Sequence, residues 1–77
     1  MVRKEIASMK NSEIIALINE TFEYETDRKI MVDRLVNAML YTDLIKKYHP
    51  NQVGSERFYK IFRSRIANME GKLYDRL

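Results

Sequence analysis

The chain has 77 residues, of which 45% are hydrophobic, and a formal net charge of +3. This size predicts one domain over 1–77, near the lower limit at which a single core is stable alone. The sequence contains no cysteine, which excludes disulfides, thiolate metal sites and thiol redox chemistry. Its longest aliphatic run, Ile14 to Ile18, is far shorter than the ~20 apolar residues of a membrane span. We also find no signal peptide and therefore expect a cytoplasmic protein without membrane contact.

The first third of the chain predicts a weak terminal segment followed by one helix. Residues 1–10 have some helical spacing, but the segment is short and terminal, so we expect it to fray. Asn11-Ser12-Glu13 is typical of a helix start, with a capping residue followed by a first-turn acid. The acidic segment from Glu20 to Glu25 should connect this helix to the next one. The residues expected to point inward are Ile14, Ile15, Leu17 and Ile18.

The segment from Thr26 to His49 has two apolar faces instead of one. At ~100° per residue, the second face lies about half a turn away from the first. Either one helix is buried on opposite sides in its two halves, or the chain breaks near Leu40-Tyr41. We favour the break, because Thr42-Asp43 repeats the capping composition of Thr26-Asp27. The first face contains Val32, Leu35, Val36 and Met39, and the second contains Tyr41, Leu44, Ile45 and Tyr48.

A loop over 49–54 should precede the last helix. Pro50 predicts the end of the preceding helix, because the residue before a proline is pushed out of the α region. Ser55 is the predicted N-cap of a helix over 55–70, and Gly71 either closes that helix or lies inside a longer one. Apolar residues at steps of three and four predict its inner line, which contains Phe58, Phe62, Ile66, Met69, Leu73 and Leu77.

These patterns predict an all-α fold, a small bundle of three to four helices, because no stretch alternates apolar and polar residues. They also argue against an enzyme. His49 is the only histidine, and two glycines cannot form a Gly-rich phosphate loop, so we expect no catalytic site, metal or cofactor. We expect Asp27, Asp33 and Asp43 at helix starts or exposed positions, where helix capping and solvation account for aspartates without a catalytic role.

The outer side of the last predicted helix is basic, and it carries the leading hypothesis. Residues 44–66 read Leu-Ile-Lys-Lys-Tyr, a turn with Gly54, then Ser-Glu-Arg-Phe-Tyr-Lys-Ile-Phe-Arg, which resembles a helix-turn-helix DNA-binding domain. The turn is longer than the usual 3–4 residues of that motif. The resemblance implies that Arg57 could read guanine and that lysines supply salt-dependent affinity. It implies that Ser55, Glu56, Arg57, Lys60 and Ser64 face the major groove, and that Lys46, Lys47, Arg63 and Arg65 contact phosphates. The alternative is an amphipathic helix whose basic face is only solvated.

A second resemblance covers 44–77 and centres on the loop. Lys47-Tyr48-His49-Pro50-Asn51, followed by Gly54-Ser55-Glu56-Arg57-Phe58 and Ile61, resembles a J domain, the co-chaperone module that stimulates a heat-shock chaperone ATPase. Asn51 stands where that family has aspartate. The resemblance implies inward-facing Phe58 and Ile61, and a chaperone-contacting set of Lys46, Lys47, His49, Pro50 and Asn51.

One long helix ending at His49 would favour the J-like hairpin, whereas a break at Tyr41-Thr42 would favour the helix-turn-helix geometry. The local alternative to both is a helix stop at Pro50, with Tyr48 and His49 packed beneath the turn.

A third hypothesis is a protein-interaction module, such as an inhibitor or adaptor. The apolar line from Phe58 to Leu77 is close to a heptad seam, and a core this small often gains stability in a homodimer. The alternative, which we favour, is packing of that line within the chain. We therefore expect a DNA-binding regulatory protein first, with the J-like and interaction modules as alternatives.

Overall fold

The computed structural model describes residues 4–77, which form five α-helices and one 3-10 turn and contain no strand. The elements are α1 (Lys4–Ala7), α2 (Asn11–Thr21), α3 (Glu25–Leu35), α4 (Tyr41–Tyr48), the 3-10 turn (Pro50–Gln52) and α5 (Glu56–Tyr74). The all-α prediction is confirmed, but the predicted count of three to four helices is wrong.

The additional helix is α1, which forms in the segment that we expected to fray. Its Ile6 is only 1% exposed, and burying an aliphatic side chain stabilises a short element by about 1.5–3 kcal/mol. The part of the fraying prediction that concerns residues 1–3 lies outside the described residues.

The inner line of α5 forms the centre of the core. Phe62, Ile66, Met69 and Leu73 are at most 6% exposed, and they pack among residues of the other helices. The line therefore serves the chain's own core, as the intramolecular alternative predicts, and is not a free seam for a second copy. Leu77 follows the end of α5 and is 51% exposed, so its assignment to the line was wrong. The other buried apolar residues are Ile6, Ile14, Ile18, Phe22, Ile30, Met31, Leu44 and Ile45.

The predicted break between the two apolar faces is confirmed, because residues 36–40 separate α3 from α4. Ala38, two residues beyond the C-cap Val36, adopts a left-handed conformation with φ of 54°, so the chain departs from the helical path without glycine or proline. The predicted caps were wrong. The N-caps are Tyr24 and Leu40, neither of which makes a side-chain cap hydrogen bond, and the Thr-Asp pairs lie within the first turns.

The connection from α4 to α5 follows the sequence closely. Helix α4 ends at Tyr48, just before His49-Pro50, and Gly54 supplies a left-handed residue with φ of 86°. Ser55 is the N-cap as predicted, since its Oγ accepts a hydrogen bond of 3.1 Å from the backbone N of Phe58. Gly71 lies inside α5, so the longer helix is the correct alternative. Its 19 residues extend about 28 Å.

Candidate nucleic-acid interface

The outer face of α5 is basic because its cations outnumber its acidic residues. The helix contains two, Glu56 in its first turn and Glu70 near its end. The Glu70 side chain is only 12% exposed and faces Arg34, with 3.5 Å between Arg34 Nε and Glu70 Oε1, an ion pair without a hydrogen bond. The Arg34 guanidinium also covers the ring of Tyr41 at 4.3 Å. Glu70 therefore does not neutralise the cations on the opposite side of α5, whereas Glu56 lies one turn before Lys60 and lines the same groove.

Three cations on that side have no partner within residues 4–77. Arg57, Lys60 and Lys72 are exposed, and no hydrogen bond or ion pair from their side chains occurs in this part of the chain. Ser64 is exposed on the same side, as the helix-turn-helix resemblance implies for a groove-facing residue. Charged side chains that are free of internal partners can pair with a polyanion at little structural cost.

The arginines predicted to flank this face do not lie on one surface. Arg65 donates a hydrogen bond of 2.8 Å to Asp27 of α3, which neutralises part of its positive charge. Its side chain nevertheless remains 43% exposed. Arg63 is exposed but lies roughly 160° around the helix from Arg65, at 100° per residue. Both were predicted to contact phosphates, yet they cannot lie on the same flank.

Of the two predicted lysines of α4, one is free and one is engaged. Lys46 is exposed and lines a groove of about 590 Å³ together with Val53, Tyr59 and Lys60, so it lies beside the N-terminal end of α5. Lys47 donates from Nζ to Asp33 Oδ2 at 2.7 Å, although its side chain remains 53% exposed. Lys46 is therefore the stronger candidate for a phosphate contact.

Asp33 is the largest departure from the sequence predictions within this region. It was expected at the surface, but it is 6% exposed and accepts hydrogen bonds from Asn37, Lys47 and Tyr48. Burial raises the pKa of its carboxyl, but the hydrogen bonds and the nearby lysine outweigh burial, and the pKa is lowered overall. Burial and the hydrogen bond to Asp33 raise the pKa of Tyr48. This cluster joins α3 to α4 and so fixes the short helix that precedes α5.

The loop residues predicted to contact a chaperone are divided between surface and interior. Pro50 and Asn51 are exposed, whereas His49 is half-buried, with its ring centroid 5.1 Å from that of Phe58 and 5.6 Å from that of Phe62. His49 thus packs against α5 beneath the turn, as the local alternative predicts, whereas Tyr48 faces α3 and donates to Asp33. Ile61 is 56% exposed, so the inward orientation implied by the J-domain resemblance is wrong.

Three residues of the outer face were not identified from the sequence. Ile61, Asn68 and Lys72 are all exposed and line a shallow groove beside Asp27 and Arg65. The spacing from Arg57 through Ile61, Ser64 and Asn68 to Lys72 follows steps of four, three, four and four, which is the spacing of one helical line. This helical spacing is visible in the sequence. The distribution of charge alone does not indicate the line, because three of its five residues are neutral.

No cluster of histidine, cysteine and acidic side chains within residues 4–77 is arranged to hold a metal ion. No helix in the described part of the chain has the length and apolar character needed to cross a bilayer. No family model, characterised protein or solved structure matches the sequence significantly.

Proposed function

We propose that this protein is a non-enzymatic regulatory protein that binds double-stranded DNA through the outer face of α5. The observation that carries the proposal is the exposed set Arg57, Lys60 and Lys72, whose side chains form no hydrogen bond or ion pair within residues 4–77. Phosphate groups along a duplex provide the matching array of negative charges. The net charge of +3 favours the same class of ligand.

The shape of α5 also fits the major groove. An α-helix with its side chains is about 10–12 Å across, and the groove is about 12 Å wide. The outer surface of α5 has two small, exposed residues near its centre, Ser64 and Ala67, which let the helix backbone approach the base edges. The inner surface remains in the core, so the helix can bind without leaving the fold.

The preceding elements support a helix-turn-helix arrangement. The break over 36–40 makes α4 a short, separate helix, and Asp33 holds it against α3. Lys46 on α4 lies beside Lys60 on α5 along one groove, so both cations are available to the same stretch of phosphates.

The test is fluorescence anisotropy with a mixed-sequence duplex over a range of salt concentrations. Each phosphate contact contributes about 0.9 to the slope of log K against log salt, so replacing Arg57 and Lys60 by alanine should reduce that slope by about two. Relative to ~1 M salt, where these contacts contribute almost nothing, the same slope gives a loss of about 200-fold in affinity at ~50 mM salt. The matched control replaces Lys10 and Lys29 by alanine. Both lysines are exposed, Lys10 at the N-cap of α2 and Lys29 in α3, and their replacement changes the net charge by the same amount as the replacement of Arg57 and Lys60.

The control variant should keep most of the affinity, since its cations lie away from the outer face of α5. Equal loss in both variants would indicate a non-specific attraction to the whole molecule and would contradict the proposed face. Affinity weaker than micromolar at ~50 mM salt for the unaltered protein would contradict DNA binding itself.

A further inference from the structure

Ile61 is an aliphatic residue of α5 that lies outside the buried side of the helix. It is 56% exposed, whereas the inner residues of the same helix are at most 6% exposed. A single exposed hydrophobic residue is common and needs no explanation by itself. Here, however, the residue lies in the middle of the basic outer face and lines the groove that also contains Ser64, Asn68 and Lys72.

The order of residues along this line is chemically informative. We call Arg57, Ile61, Ser64, Asn68 and Lys72 the outer line; it has a cation at each end and neutral groups between them. At 1.5 Å per residue, Ile61 and Asn68 are separated by about 10 Å along the helix axis. That separation exceeds the rise of about 3.4 Å per base pair, so the two side chains would face different base pairs.

The neutral groups match the exposed edges of A·T pairs in the major groove. An asparagine amide can donate to adenine N7 and accept from the adenine N6 amino group, and an apolar side chain can contact the thymine 5-methyl group. Ser64 between them can donate or accept and so tolerates either base. Guanine and cytosine offer no methyl group to Ile61.

We propose that Ile61 and Asn68 determine specificity for A·T base pairs, with Ile61 against a thymine methyl group and Asn68 on adenine. This inference rests on the proposed function, because it assigns a sequence preference to the same face of α5. Lys60 and Lys72 supply the affinity that does not depend on sequence.

The decisive experiment removes the thymine methyl groups without changing base pairing. An A·T-rich duplex is compared with the same duplex in which deoxyuridine replaces thymidine, by anisotropy at fixed salt. The unaltered protein should bind the deoxyuridine duplex about fourfold more weakly for each methyl group that Ile61 covers. Ile61→Ser should bind the two duplexes equally. Asn68→Ala should lose roughly fivefold or more of the preference for A·T-rich over G·C-rich duplexes.

The matched control is Ile15→Ser, which removes a partly exposed isoleucine from α2. It should retain the difference between the thymidine and deoxyuridine duplexes, and circular dichroism should show that all three variants fold. Salt-dependent binding that is equal for the two duplexes would overturn the inference while leaving DNA binding intact. An equal loss of the difference in Ile15→Ser and Ile61→Ser would also overturn it.

Absence of binding to every duplex would remove both the inference and the proposed function. If Ile61→Ser then abolished capture of a protein partner, the outer line would be a protein-binding surface.

Discussion

Replacing Asp33 by asparagine should destabilise the protein and remove part of the pH dependence of its stability. Asp33 accepts three hydrogen bonds, one of them from a lysine, and it is only 6% exposed. Hydrogen bonds to a charged group contribute about 1.5–3 kcal/mol each. Asparagine keeps one acceptor oxygen, and the half-exposed Lys47 is screened by solvent, so we expect a net loss of about 2–4 kcal/mol.

That loss is a large part of the total stability. A chain of 77 residues typically has a free energy of unfolding of about 4–11 kcal/mol. At 4–8 °C per kcal/mol for domains of this size, the midpoint of thermal unfolding should fall by roughly 8–32 °C. The matched control is Asp43→Asn, because Asp43 is exposed in the first turn of α4 and should contribute only about 0.3–1 kcal/mol through the helix dipole.

The sign of the pH effect follows from the lowered pKa of Asp33. A carboxyl group whose pKa is lower in the folded state than its usual 3.8 stabilises the fold above that value. The contribution is lost as pH falls through the folded-state pKa. Urea unfolding of the unaltered protein and Asp33→Asn at pH 7 and at lower pH should therefore show a difference in stability that shrinks as the pH falls below 3.8. A difference that stays constant over this range, or one no larger than that of Asp43→Asn, would refute the assignment.

Three further predictions concern the backbone and the DNA-binding face. Gly71→Ala should raise the free energy of unfolding by about 0.5–1 kcal/mol in urea titrations, because Gly71 lies inside α5 and an added Cβ meets nothing within 4 Å. Gly54 and Ala38 both have φ in the left-handed region, which glycine adopts more readily than alanine. Gly54→Ala should therefore lower the free energy of unfolding by about 1 kcal/mol, and Ala38→Gly should raise it by up to about 1 kcal/mol. Effects of the opposite sign would contradict these conformations. Asp27→Asn should release Arg65 and steepen the salt dependence of DNA binding by about 0.9, and an unchanged slope would show that Arg65 does not reach phosphate.

Strong local signals in the sequence were sufficient for most of the fold. Ser55 caps α5 through its own hydroxyl, and the ring of Pro50 ends α4, so both helix boundaries could be predicted from single residues. The helix break was detectable from a change in the apolar phase. The left-handed conformation of Ala38 within that break was not detectable, because a left-handed alanine has no signature in the sequence and depends on the packing around it.

The candidate site was less predictable, because partners distant in sequence decide which charges are free. Arg65 and Lys47 look like ordinary surface cations, but the fold brings Asp27 and Asp33 within 2.8 Å and 2.7 Å of them. Nothing in the sequence indicates that Glu70 is buried, whereas in the structure its side chain is only 12% exposed and forms an ion pair with Arg34. Helical spacing located the basic face correctly, whereas the list of unpaired cations required the tertiary structure.

The most direct measurement of the central claim is a titration of isotope-labelled protein with a short duplex, followed by amide chemical shifts. The proposed interface predicts the largest changes at Arg57, Lys60, Ser64 and Asn68, with Lys46 also affected, and little change along the exposed side of α2. Changes centred on α2 or on the groove beside Lys29, or no changes at a duplex concentration above the protein's, would contradict binding through the outer face of α5.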